Sequence, residues 1–240
     1  MSFLSGIFSR KRPLDLTTFT DWHCHLLPGV DDGVQSIEES LDILRAYEQA
    51  GIGEVWLTPH IMEDLPNTPS QLLQRFEELK VRYTGPIELN LAAENMIDSL
   101  FSERLAAGDL LPIGRNRRTL LVETSYFSAP MKFYETIDAI KSKGYYPLLA
   151  HPERYDYISG GMAQYKKLKD KGVKFQLNLM SLGGHYGQNV REKALKLLAA
   201  GMYDHVGSDV HSEGHFEALQ SMKLSRALAE KVLPLFLNRC

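Results

Sequence analysis

Cysteine is scarce: 240 residues hold two, Cys24 between two histidines and Cys240 at the last position. That leaves no disulfide framework and no paired-thiolate metal site, and it fits a reducing cytoplasm. No apolar run nears the roughly 20 residues that cross a bilayer, so the chain is expected neither to span a membrane nor to be exported. Charge of one sign is lacking too. A formal net charge of -3 offers no track for a nucleic-acid backbone, and 44% hydrophobic with 24% charged residues excludes a disordered chain.

What is present is a repeat of short apolar segments, each followed by a helical pattern, the signature of strand–helix units around a parallel sheet. Seven strands are expected, at 19–23, 54–58, 88–92, 120–123, 147–150, 174–179 and 205–207. Ser36 with Glu39 reads as a capping box, Thr68, Pro69 and Gln71 open another helix, and Gly51, Gly144, Gly172 and Gly201 follow helical stretches. The length suits a single core, so one domain is expected at 18–240 behind a flexible extension at 1–17. Within that extension, mildly apolar residues 1–8 precede Arg10, Lys11 and Arg12, and a frayed basic tail is the simplest reading.

The informative feature is positional. His23, His25, His60, Glu94, Glu123, His151, Asp209 and His211 all fall at the ends of expected strands, and Asp32 lies on the loop after the first. In barrels of parallel strands the carboxyl ends share one face, so residues distant in sequence meet there. Any one of these histidines alone is better explained as a hydrogen-bonded structural residue. Five of the chain's eight at such positions are not. His23 with His25, and Asp209 with His211, are i, i+2 pairs that project to one side of an extended chain, leaving Cys24 to pack as a small hydrophobe. Glu123 ends an apolar run, where a carboxylate is costly unless paired or metal-bound. Nine donors exceed the needs of one ion, and imidazole with carboxylate suits two or three divalent ions of manganese, iron or zinc, which the donor set does not rank.

The ordered elements D-W-H-C-H, T-P-H, A-E-N, V-E-T, A-H-P-E-R-Y and S-D-V-H, running from Asp21 to His211, resemble the PHP superfamily of polymerase and histidinol phosphatase domains. The resemblance implies an α/β fold, a single-domain distorted seven-stranded (β/α) barrel. H-L-L-P-G-V-D-D-G at 25–33 and H-P-E-R-Y at 151–155 are similar to the CpsB/CapC-type bacterial tyrosine phosphatases, which act on autophosphorylated kinases of capsule and exopolysaccharide export. By that likeness the nine residues inherit ligand roles, Arg154 a phosphate-binding role, and Arg154, Asp209 and His211 are the expected catalytic residues. The family usually starts almost directly at its first strand, so the 17 leading residues are a departure.

The implied chemistry is attack on phosphorus by a hydroxide held between metal ions, with Arg154 on the phosphoryl oxygens. A cysteine-based alternative is excluded, because its loop needs an arginine six positions after the thiolate and Val30 stands there after Cys24. The expected partner is a tyrosine-phosphorylated protein, a bacterial tyrosine kinase, met in the cytoplasm or through that substrate at the membrane surface. Competing readings are a small-molecule phosphatase such as histidinol phosphatase, a non-catalytic kinase-binding module and, last, a nuclease. Arg154 could instead pair with Glu153. Arg115, Arg117 and Arg118 precede a strand and are expected on the opposite face, and Tyr126, Phe127, Tyr155 and Tyr157 are left to packing or loop anchoring.

Overall fold

The computed structural model describes residues 11–158 and 161–238. In chain order the strands are β1 (Arg12–Pro13), β2 (Thr20–Cys24), β3 (Glu54–Leu57), β4 (His60–Ile61), β5 (Glu88–Leu91), β6 (Glu94–Met96), β7 (Thr119–Glu123), β8 (Tyr146–Ala150), β9 (Lys174–Asn178), β10 (His205–Gly207) and β11 (Lys223–Leu224). All seven expected segments become strands, shifted by a residue or less at most ends. Their backbone ladders divide them between two sheets. The hydrogen-bonded units are a six-stranded parallel sheet, β10-β9-β8-β7-β6-β4, and a three-stranded parallel sheet, β2-β3-β5.

The reason lies in two interrupted strands. Thr58 and Pro59 separate β3 from β4, and Ala92 and Ala93 separate β5 from β6, so each chain leaves one sheet and enters the other. Proline has no N–H to give a ladder, and it marks the break. Backbone bonds tie the sheets together on the other side as well: His25 N–H donates to Val210 O at 2.8 Å and Asp209 N–H to His23 O at 2.7 Å.

Between the sheets lies a compact inner cluster of Trp22, Trp56, Ala92, Ile113, Leu121, Leu148 and Ala150, with the two indoles stacked at 5.4 Å. A larger apolar cluster packs the outer sheet faces against the helices. The register between β2 and β3 slips by one residue between Asp21 and Cys24. Such a bulge turns the strand's alternation over. Trp22 therefore faces the inner cluster while Cys24, two residues on, packs in the outer one.

The helix starts follow the cues, with one variation. Thr68 and Gln71 form a reciprocal capping box with Pro69 in the first turn. Ser36 accepts from Glu39 N–H, but the Glu39 carboxylate reaches back to Gln35 rather than Ser36. Gly144, Gly172 and Gly201 take positive φ just past helices. Residues 1–10 of the expected extension lie outside the described residues. Its remainder is packed, since β1 pairs antiparallel with β11 and Leu14 and Leu16 are buried.

Candidate metal centre

At the carboxyl ends of the strands the structure gathers all nine singled-out donors. His23 Nε2 lies 3.1 Å from His25 Nε2, 3.2 Å from Glu94 Oε2 and 3.4 Å from Asp209 Oδ1. His60 Nδ1 lies 2.9 Å from Glu123 Oε1 and 3.2 Å from Glu94 Oε2, while its Nε2 is 3.4 Å from Asp32 Oδ1. His211 Nε2 faces the same Asp32 oxygen at 3.5 Å, and His151 Nε2 meets Glu94 Oε1 at 3.1 Å. Three overlapping groups result: His25, Asp32, His60 and His211; His23, His25, Glu94 and Asp209; and His60, Glu94 and Glu123.

Close approach of β10 to β2 makes this possible. A Cβ on Gly207 would stand 2.5 Å from His23 Cβ, so only glycine lets that imidazole take its place. Just beyond, Asp209 has φ 57°, and His151 has φ 31°. Non-glycine residues rarely occupy that left-handed region, and backbone strain of this kind gathers at functional sites.

Side chains behind the donors aim them. His23 Nδ1 lies 2.7 Å from Gln176 Oε1, His25 Nδ1 2.8 Å from Asp31 Oδ2, and His211 Nδ1 2.9 Å from the Asp209 carbonyl. Each contact places the ring proton on Nδ1 and turns the Nε2 lone pair inward, as partners behind metal-binding histidines do. Asp31 is itself held by the N–H groups of Gly33 and His60, both at 3.0 Å. His60 differs, with carboxylates at both nitrogens. A neutral imidazole has one lone pair, so it can serve only one of its two groups at a time.

The electrostatics are those of a site shaped for positive charge. Burial works against ionisation of Glu94 and Asp209, yet His23 and the other imidazoles around them hold both carboxyls well below the ordinary range. Burial likewise opposes the His25 cation, but Asp31, Asp209 and Glu94 push its pKa well up, and His60 is raised to about 10. Glu94 Oε2, Glu123 Oε1, His60 Nδ1 and His151 Nδ1 are buried without a hydrogen-bond partner. The 2.9 Å approach of His60 to Glu123 thus lacks hydrogen-bond geometry. Donor atoms converge on shared points instead of pairing off, and this set fits divalent cations.

Arg154 closes one wall of a cavity of about 490 Å³ over these groups. Its Nη1 donates to Asp209 Oδ2 at 2.8 Å, and its guanidinium lies between the rings of Tyr126, at 4.6 Å, and Tyr186, at 4.1 Å. The alternative pairing with Glu153 is not found, for Glu153 turns inward to Asn178 N–H and the Tyr203 hydroxyl. Tyr126, set aside from sequence, lines the cavity, whereas Tyr155 is buried and Phe127 exposed. Tyr186, Gln176 and Asp31 are not among the residues the sequence points to; the D-D-G run is the one signal there, and it does not say which aspartate faces the cavity. Cys24 is buried, its thiol pKa pushed up by burial. Arg115, Arg117 and Arg118 sit at the opposite strand ends, against Glu88, Trp56 and Tyr146.

Fold and site together define an α/β protein of parallel sheets with a His/Asp/Glu cation centre at the strand ends. Residues 19–231 match the family described as capsular polysaccharide synthesis, CpsB/CapC, and the chain belongs to it. It is 29% identical over 196 residues to tyrosine-protein phosphatase YwqE of Bacillus subtilis, covering 80% of this chain and 77% of that one. Against the putative tyrosine-protein phosphatase CapC of Staphylococcus aureus it is 28% identical over 201 residues, covering 80% and 76%. A chain from the crystal structures of YwqE from Bacillus subtilis and CpsB from Streptococcus pneumoniae, described as unique metal-dependent tyrosine phosphatases, superposes with a TM-score of 0.76 at 26% identity, covering 92% of this chain and 95% of that one.

Proposed function

We propose that the chain is a metal-dependent protein-tyrosine phosphatase acting on a phosphorylated bacterial tyrosine kinase that governs capsule or exopolysaccharide synthesis. The observation that carries this reading is the convergence of buried donor atoms without partners beneath an arginine that faces the same cavity. The family and the phosphatases it resembles point the same way.

In this reading His23, His25, Asp32, His60, Glu94, Glu123, His151, Asp209 and His211 hold two or three divalent ions, with manganese ranked before iron and zinc. Such ions supply an activated water and offset phosphoryl charge. Arg154, already ordered by Asp209 and two aromatic rings, binds the phosphoryl oxygens through its remaining N–H groups. Asp209 thereby links the phosphate-binding arginine to the centre. A phenol leaves with a pKa of about 10, so the protein need provide little acid assistance to the tyrosyl oxygen.

We read the two sheets as one distorted seven-stranded barrel, because β3–β4 and β5–β6 are single strands broken in the middle and Cys24 bridges to Val210. The one domain expected at 18–240 then also takes in the packed residues 11–17. No helix among the described residues is long and apolar enough to cross a membrane. The enzyme works in the cytoplasm, reaching the membrane surface through its substrate. The test is turnover of phosphotyrosine peptides against histidinol phosphate by metal-stripped protein supplied with Mn, Fe or Zn. Preference for the peptides, abolished by chelators and indifferent to thiol reagents, is the expected result; preference for histidinol phosphate would replace this reading with the small-molecule one.

A further inference from the structure

Beside the metal centre, the loop at 124–132 leaves β7 and carries two large apolar side chains into solvent, Phe127 at 81% exposure and Met131 at 91%. Isolated exposed apolar residues need no explanation. Their loop also borders a second cavity of about 350 Å³, lined by Ala129, Pro130, Phe133, Tyr134, Tyr157 and Ile158 among others. The next residue, Lys132, is held at φ 58° without glycine.

The second cavity is tied to the first. Tyr126 lines the catalytic cavity and Ala129, three residues on, lines the other. A ladder of rings also joins them: Arg154 over Tyr126 at 4.6 Å, Tyr126 to Tyr155 at 6.0 Å, and Tyr155 to Tyr157 at 5.5 Å. Tyr157 therefore lies no more than about 16 Å from the guanidinium, which about five residues of extended chain can span. The charge at the rim suits an anionic polypeptide. Lys132 is exposed there without an ion-pair partner among the described residues, and Lys167 Nζ sits 4.2 Å above the Tyr134 ring, although Glu135 also borders the opening.

Resting on the tyrosine-phosphatase reading, we propose that this cavity, with Phe127 and Met131 as its outer lip, docks an apolar side chain of the substrate polypeptide within about five residues of its phosphotyrosine. The catalytic cavity then reads the phosphate, and the loop cavity reads the neighbouring sequence. Continuity of the two through one loop favours a substrate segment over any other occupant.

The test uses the full chain loaded with metal and a set of phosphotyrosine peptides carrying leucine or serine at each position up to six away, on either side. Two variants leave the metal and phosphate machinery alone: Phe127→Ser with Met131→Ser, at exposed positions, and Ala129→Glu, which puts a carboxylate on the cavity wall. For the parent, one leucine position should lower KM. Both variants should raise KM for that peptide by about tenfold with kcat unchanged, and hydrolysis of p-nitrophenyl phosphate should stay within about twofold, which also reports correct folding. Peptide hydrolysis with the same KM in parent and variants overturns the docking proposal and leaves the phosphatase reading standing. A parent that hydrolyses p-nitrophenyl phosphate but no phosphotyrosine peptide overturns both. Loss in the variants of a concentration-dependent dimer, or of sedimentation with anionic vesicles, with KM unchanged, would give the patch to a second copy or to lipid and likewise overturn it.

Discussion

Two pairs of buried acids in this fold behave in opposite ways. Asp21 receives N–H from Ser208 and O–H from Tyr47 and Ser208, and Glu153 receives N–H from Asn178 and O–H from Tyr203. Burial pushes both of their carboxyl pKa values upward. Asp209 and Glu94 are equally buried, yet imidazoles around them hold theirs well below the usual range. The first pair has its oxygens satisfied by fixed hydroxyl and amide donors and braces strands. The second faces nitrogens that give up protons when a cation arrives. Burial alone does not mark a functional carboxylate; the kind of group facing it does.

Removing one acid from each pair is the sharpest way to break this comparison. Glu94→Gln should lower kcat on a phosphotyrosine peptide by more than about 100-fold per folded molecule, beyond what loss of a supporting partner usually costs. Glu153→Gln should do the reverse, keeping turnover per folded molecule and losing about 1–3 kcal/mol in denaturant unfolding. Equal activity loss in both would erase the distinction. Next in size is Asp31→Asn, behind His25: competitive chelation should record metal affinity about 10–100-fold weaker, with folding intact.

The same contrast explains what could be read from the chain. Seven strands were legible because each is a short apolar run followed by a helical pattern. β4 and β6 were not, since two or three residues carry no period, and their separation depends on where Pro59 and the Ala92–Ala93 step bend the chain. β1 falls within the expected extension because its partner, β11, lies near the other end of the chain. The gathering of nine donors was legible from their positions at strand ends. Which aspartate of the Asp31–Asp32 pair orients a histidine and which opens to solvent was not, for the loop decides that. Nor were Tyr186 and Gln176, whose roles come from tertiary contacts with Arg154 and His23.

Asp21→Asn probes the bracing pair from its other member. The amide puts N–H against the Tyr47 and Ser208 hydroxyls or leaves a backbone N–H unmet, so about 3 kcal/mol of stability should go while activity per folded molecule holds. The smallest effect belongs to His205, far from the centre at the amino end of β10. It is buried with Nδ1 unpaired, and burial, helped by the charge of Lys174, lowers its pKa to about 4. The unfolded chain takes up that proton near 6.5, so below this pH it binds more protons than the folded one. The neutral ring's contribution is whole above pH 6.5 and is lost as pH falls towards 4. Between pH 7 and 5 it should steepen the decline by about 2 kcal/mol. Denaturant unfolding of the parent and His205→Gln across that range checks it, since the carboxylates contribute equally to both. Parallel curves would mean that this histidine takes up its proton in the folded core as readily as in the unfolded chain, and that here, as at the metal centre, burial is not what sets the charge.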